Sequence, residues 1–115
     1  MTKEELYIRG MELFAEGRLE EAAAAYRAAL ADDPAYPDAL HALAMTYAQQ
    51  EKLDDAIAVG EKLIEVAPQD ELAYTSLSIF YQRKGMIAEA ERVAAQARTL
   101  GWKRQLEEQK ASKKD

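Results

Sequence analysis

The chain has 115 residues, enough for one domain with a continuous core. It lacks cysteine, which excludes disulfides, thiolate nucleophiles and thiolate metal sites. Its net charge is −6, unevenly spread: residues 1–70 hold 15 acidic and 6 basic side chains, residues 71–115 hold 6 and 9. A nucleic-acid binder is basic over a whole face, so no nucleic-acid partner is expected. The opening MTKEELYIRG has no apolar run of signal-peptide length, and no segment approaches the length of a membrane span. No membrane insertion is expected, and the cytoplasm is the default location.

In chain order, Thr2 and Glu5 form a capping-box pattern ahead of a helix from Lys3 to Glu16. Leu6, Gly10, Leu13, Phe14 and Gly17 keep helical spacing, and Gly17 ends the helix with a left-handed position. A second helix runs from Leu19 to Ala31, with Ala22, Ala23, Tyr26, Ala29 and Leu30 inward. Asp32-Asp33-Pro34 ends it, because proline disfavours helix in the residue before it. Pro37 opens a third helix with the inner stripe Leu40, Leu43, Ala44 and Tyr47. Leu53, Ala56, Ile57, Leu63, Ile64 and Val66 mark a fourth. Asp70 caps a fifth, which points Tyr74, Leu77, Ser78 and Tyr81 inward and ends at Gly85. Ile87, Ala90, Ala94 and Ala97 line a sixth. The pattern breaks at Gly101-Trp102. WKRQLEEQKASKKD then reads as a further capping helix, about 102–112, with Trp102 and Leu106 packed on the sixth helix. Ser112 to Asp115 are expected to fray.

The elements repeat with a period of 34 residues. Pro68 falls on Pro34, Leu53 on Leu19, Tyr81 on Tyr47, and Ala90 on Ala56 and Ala22. Such a period is the mark of stacked helix pairs. Gly10, Leu13, Gly17, Ala22, Tyr26 and Pro34, with their counterparts in the later copies, resemble the tetratricopeptide repeat. The resemblance covers roughly residues 3–102. It implies an all-α, right-handed α-solenoid of three helix-turn-helix repeats, about 3–36, 37–70 and 71–102, plus the capping helix. It also implies a concave groove, lined by the first helix of each pair, that binds a peptide or helix.

Three positions depart from the pattern. Glu51 stands where Gly17 and Gly85 stand, so a looser turn is expected there. Gly60 replaces an aromatic while Leu63 replaces an alanine, which reads either as Leu63 filling the vacated space or as an opening for a partner's side chain. Arg9 stands where Leu43 and Leu77 are inward, which fits a first helix with no preceding pair.

Catalysis is poorly supported. A nucleophile needs a base within reach and a group to orient it, and His41 is the lone imidazole. Asp54 and Asp55 are adjacent in a first helical turn, where acidic groups favour the dipole. No metal-ligand spacing and no glycine-rich phosphate loop occurs, so neither metal nor cofactor is expected. The tail lysines are balanced by Glu107, Glu108 and Asp115 and read as a solvated end.

On the family geometry the groove is lined by Tyr7, Met11 and Phe14, then His41, Met45 and Gln49, then Leu72, Thr75, Ile79, Gln82 and Arg83. One branch of the family holds acidic chaperone tails with a clamp of Lys, Asn and Arg. Here those places carry Tyr7, Met11, Ala42, Leu72 and Ser76, so that function is not carried over. An apolar groove bearing methionine suits an amphipathic helix or apolar peptide. The expected role is a non-enzymatic protein-interaction module with an unidentified protein or peptide partner. The alternatives are a self-associating scaffold, a homo-oligomer joined through the same apolar end, and an enzyme with a shallow pocket near His41.

Overall fold

The computed structural model describes residues 1–113, and Lys114 and Asp115, the last of the residues expected to fray, lie outside them. Six helices follow one another: α1 Lys3–Ala15, α2 Leu19–Asp32, α3 Pro37–Gln49, α4 Leu53–Val66, α5 Glu71–Lys84 and α6 Ile87–Ser112. No strand occurs among the described residues. Each odd-numbered helix packs on the even-numbered one after it, and α2 on α3 and α4 on α5 join the pairs into a helical-repeat solenoid.

Local chemistry sets the helix ends. Thr2 Oγ1 accepts from the Glu5 amide at 3.1 Å, and the Thr2 amide donates to Glu5 Oε1 at 3.0 Å, completing the capping box. Asp70 accepts from the Leu72 amide at 3.0 Å.

The three turns within pairs are built alike. The amides of Arg18, Lys52 and Met86 donate to the carbonyls of Leu13, Tyr47 and Tyr81 at 2.9, 2.8 and 2.8 Å. These are the six-to-one bonds of a Schellman ending, which needs one left-handed residue. Gly17 (φ 78°) and Gly85 (φ 85°) supply it, and so does Glu51 (φ 62°). The turn at Glu51 is therefore as tight as the other two, contrary to the sequence expectation. The backbone bonds hold the geometry and the glutamate carries the strain.

Ala22, Ala56 and Ala90, one per repeat at the same register, are all buried. One core cluster centres on Leu13, Tyr26 and Leu43, a second on Leu40, Leu63 and Ala73, and a third on Ile57, Tyr74, Leu77, Phe80 and Val93. Val59 packs against all three, so the core is continuous along the solenoid.

The space beside Gly60 is closed, and not by Leu63. A β-carbon at Gly60 would stand 3.0 Å from Leu77 Cδ1 and 3.7 Å from Phe80 Cδ2, while Leu63 packs in the cluster of Leu40 and Ala73. Side chains of the following helix fill what the glycine vacates, so neither expectation for Gly60 holds.

The outer face of α1 carries charge where the later helices are apolar or buried. Leu43 and Thr46 on α3 are buried, as are Leu77 and Phe80 on α5. Their counterparts on α1 are Arg9 and Glu12, exposed and 3.8 Å apart as an ion pair.

The C-terminal end differs from the sequence expectation. Residues 102–112 are not a separate helix folded back as a cap; they continue α6, which runs unbroken for 26 residues. Trp102 is 65% exposed and Leu106 56%. The boundary at 34 and 68 is a proline, whereas position 102 is tryptophan. A lone glycine inside a helix costs only about 1 kcal/mol, so Gly101 does not stop it. Ile87, expected to face inward, is also exposed.

Candidate functional site

The first helix of each pair carries apolar side chains that the core leaves uncovered. Met11 on α1, Met45 on α3 and Ile79 on α5 are 34 residues apart, and each is about half exposed. They occupy one register of the repeat and so form a ladder across the three helices. Phe14 and Leu72 are also exposed, and Tyr7 is half-buried.

The ladder deepens at the N-terminal end. Tyr7, Met11 and Phe14 of α1, Tyr26 of α2, and Ala42 and Met45 of α3 line one hollow of about 270 Å³. Four of these, Tyr7, Met11, Phe14 and Met45, are site residues named from the sequence. Tyr26 and Ala42 were not assigned to the groove lining. Gly10 admits the Tyr26 ring, and the Tyr7 ring sits 6.0 Å from that ring and 5.8 Å from that of Tyr36. Aromatic packing thus fixes the hollow's floor. Burial, with the neighbouring Tyr7, pushes the Tyr26 hydroxyl up to about 12.

Lys3 ties down the rim of this end. Its Nζ lies 2.6 Å from Asp33 Oδ2 and 5.0 Å from the Tyr36 ring centre. The hydrogen bond to Asp33 raises the lysine's pKa, and the same bond lowers that of Asp33.

The remaining predicted residues lie outside the hollow. His41 Nε2 and Ser76 Oγ are 3.2 Å apart, a hydrogen bond between α3 and α5. Gln49, Thr75 and Gln82 are exposed, and Thr75 Oγ1 donates to the Glu71 carbonyl at 3.1 Å. Arg83 donates to the Ala48 carbonyl at 3.2 Å and pairs with Glu51 at 2.7 Å, fastening α5 to the end of α3. Among the described residues no group of three or more histidines and carboxylates is placed to hold a metal ion.

Two further hollows were not foreseen. One, about 350 Å³, lies between the α4–α5 loop and α6, bordered by Pro68, Tyr74, Thr99, Leu100 and Lys103. The other, about 310 Å³, runs along the end of α6 beside Trp102, Gln105, Leu106 and Gln109. The signal for the second was present in the sequence as an apolar pair at i, i+4 in an otherwise polar helix.

Three stacked helix pairs define a helical-repeat protein. A sequence profile of the tetratricopeptide repeat matches residues 13–78, more than half of the chain. The chain belongs to the tetratricopeptide repeat family. It is 38% identical over 80 residues to a peroxisomal targeting signal receptor of Pichia angusta and 39% to that of Komagataella phaffii. These matches cover 69% of this chain and 14% of each receptor, so the chain spans about one seventh of those relatives. Among solved structures it resembles MamA with a TM-score of 0.87 at 30% identity, over 90% of this chain and 60% of that one. It also resembles the first tetratricopeptide domain of Spaghetti (RPAP3) bound to the HSP90 peptide SRMEEVD. There the TM-score is 0.82 at 19% identity, over 86% of this chain and 79% of that one, a likeness of fold. Family and fold make the chain a protein-interaction module. No helix among the described residues is long and apolar enough to cross a membrane.

Proposed function

We propose that residues 1–115 act as one non-enzymatic binding domain in the cytoplasm, taking an amphipathic helix or apolar peptide along the concave strip. The observation that carries this is the ladder of Met11, Met45 and Ile79 opening into the hollow of Tyr7, Phe14, Tyr26 and Ala42. Contiguous exposed apolar side chains on a folded chain mark binding sites. Methionines adapt their shape to a partner's side chains. His41, Gln49, Leu72, Thr75, Gln82 and Arg83 then border the bound segment.

A direct test titrates the chain with a short synthetic helix bearing leucine on one face and lysine on the other, followed by anisotropy. Saturable binding that Met45→Glu abolishes is the expected result. Binding that survives Met45→Glu unchanged, or no binding at all, overturns the proposal. The peptide SRMEEVD should bind no better than its scrambled form, because Tyr7, Met11 and Leu72 stand where an acidic tail needs cations and amides. Sequence-dependent micromolar binding of SRMEEVD would contradict this.

A further inference from the structure

The end of α6 is an amphipathic helix without a partner. Trp102, Leu106 and Gln109 follow i, i+4, i+7 spacing and so share one face. Every described residue from Trp102 onward is exposed. Tryptophan is rarely left this open on a finished surface. The helix also carries Lys103, Arg104, Lys110 and Lys113 against Glu107 and Glu108, four basic and two acidic side chains, so it keeps a modest positive surplus. Arg104 is held by Glu71 at 2.6 Å and Glu108 at 3.1 Å, which steadies the base of the projecting segment. From Gly101 to Ser112 the segment is about 18 Å long, at about 1.5 Å per residue.

The apolar hollow lies at the opposite end of the solenoid. It belongs to the half of the chain that holds 15 acidic and 6 basic side chains, whereas the half from residue 71 holds 6 and 9. Glu4 and Asp38 stand one repeat apart in the first turns of α1 and α3, the two helices that form the hollow's walls. One end of the chain therefore offers a basic amphipathic helix, and the other an apolar hollow in an acidic half. Helix α6 packs on α5 and α1 packs on α2 and α3, so a chain cannot fill its own hollow without unstacking.

Copies are also discouraged from joining by simple continuation of the solenoid. The leading flank presents the Arg9–Glu12 pair. On the trailing flank Arg98, exposed, stands where Leu30 and Ile64 pack in the earlier repeats. Charges at both flanks leave the groove and the tail as the complementary surfaces.

We infer that the occupant of the groove is the α6 extension of a second copy of this chain, with Trp102 and Leu106 seated in the hollow of Tyr7, Met11, Phe14 and Met45. This rests on the groove reading above and names its ligand. The contact is head-to-tail, so a joined pair keeps one free hollow on one copy and one free tail on the other, and assembly continues into rings or filaments. Opposite charges bring the two surfaces together, so raising the salt concentration weakens the contact.

Trp102 is the sole tryptophan and reports on its own burial. With rising concentration of the full chain, its emission should shift to the blue while the sedimentation coefficient increases. Met45→Glu and the double change Trp102→Ala with Leu106→Glu should each shift self-association by about tenfold or more towards monomer, as charges buried in apolar contacts do. Mixed together, the two variants should form a one-to-one complex and nothing larger, because one retains the tail and the other the groove. A wild-type chain that stays monomeric at millimolar concentration overturns the inference. So does an assembly that the tail variant abolishes, that Met45→Glu leaves intact and that the mixture does not restore, since that is pairing of tail with tail. The groove reading is judged separately: the leucine–lysine helix still binds, and Met45→Glu still abolishes it, when only the choice of occupant is wrong.

Discussion

Gly10 and Tyr26 share one volume: a β-carbon on Gly10 would stand 2.4 Å from Cε1 of the Tyr26 ring and 2.7 Å from Cδ1. The ring is 2% exposed and packed among Leu13, Ala22 and Leu43, so it has nowhere to retreat. Helix propensity alone favours alanine over glycine by about 1 kcal/mol. Overpacking a rigid core costs about 1–3 kcal/mol. Gly10→Ala should therefore destabilise the chain, and thermal melting checks the sign. Gly101→Ala is the contrast. There a β-carbon meets only the flexible carboxylate of Glu71, at 3.1 Å, so propensity wins and the melting temperature should rise.

Glu51 holds a left-handed backbone at φ 62° without the freedom of glycine. The left-handed conformation costs a residue with a β-carbon about 1–2 kcal/mol. Glu51→Gly relieves that cost and breaks the exposed pair with Arg83. In an Arg83→Ala background, where the pair is already gone, Glu51→Gly should stabilise by about 1 kcal/mol in denaturant melts. No gain in that background would mean the turn is unstrained.

Alkaline stability should report on the hollow's floor. A tyrosine in an unfolded chain ionises near about pH 10, whereas Tyr26 keeps its proton to about 12. Between those values the unfolded chain has lost the proton and the folded chain has not. Stability is therefore fully present below pH 10 and falls as pH rises towards 12. Tyr26→Phe should flatten part of that decline, and melts on a pH series measure it. Tyr81 is raised for the same reason of burial, followed by the Glu61 charge, so the remaining decline should not vanish.

Removing residues 102–115 should barely disturb the fold. The described residues of that segment are exposed, and surface changes of this kind stay within about 0.5–1 kcal/mol. A loss of several kcal/mol would mean that Trp102 and Leu106 pack on the solenoid after all. The same truncation should abolish self-association.

What was legible in the sequence was local or strictly periodic. Thr2 with Glu5, Asp70, Gly17 and Gly85 act on the backbone within a few residues, so each end could be read by itself. Ala22, Ala56 and Ala90 declare their burial by recurring at one register. The misses depended on neighbours. Thr46 and Phe80 share a buried register, with Phe80 packed beside Gly60 of the preceding pair, and that register is masked by the exposed Glu12 of the first copy. The space at Gly60 is filled by Leu77 and Phe80 from the next helix, which no pattern within one repeat reveals. The tail departs from the expected cap because an uncovered flank does not by itself require one, and nothing at Gly101-Trp102 stops the helix. For the site, four of the eleven predicted residues line the hollow, and the inward spacing of Tyr26 marks it as core without revealing that it also lines the hollow.

The most direct test sets Met45→Glu beside Leu43→Ala, two residues apart on α3. Met45 is 42% exposed and lines the hollow of Tyr7, Met11 and Phe14, whereas Leu43 is 4% exposed in the core. Each variant is melted and titrated with the leucine–lysine helix. Met45→Glu should keep the wild-type melting temperature and lose binding. Leu43→Ala should lose about 2–5 kcal/mol of stability and, while folded, still bind. If Met45→Glu unfolds the chain and Leu43→Ala leaves it stable but unable to bind, the two faces of α3 are inverted and the groove is not the binding surface.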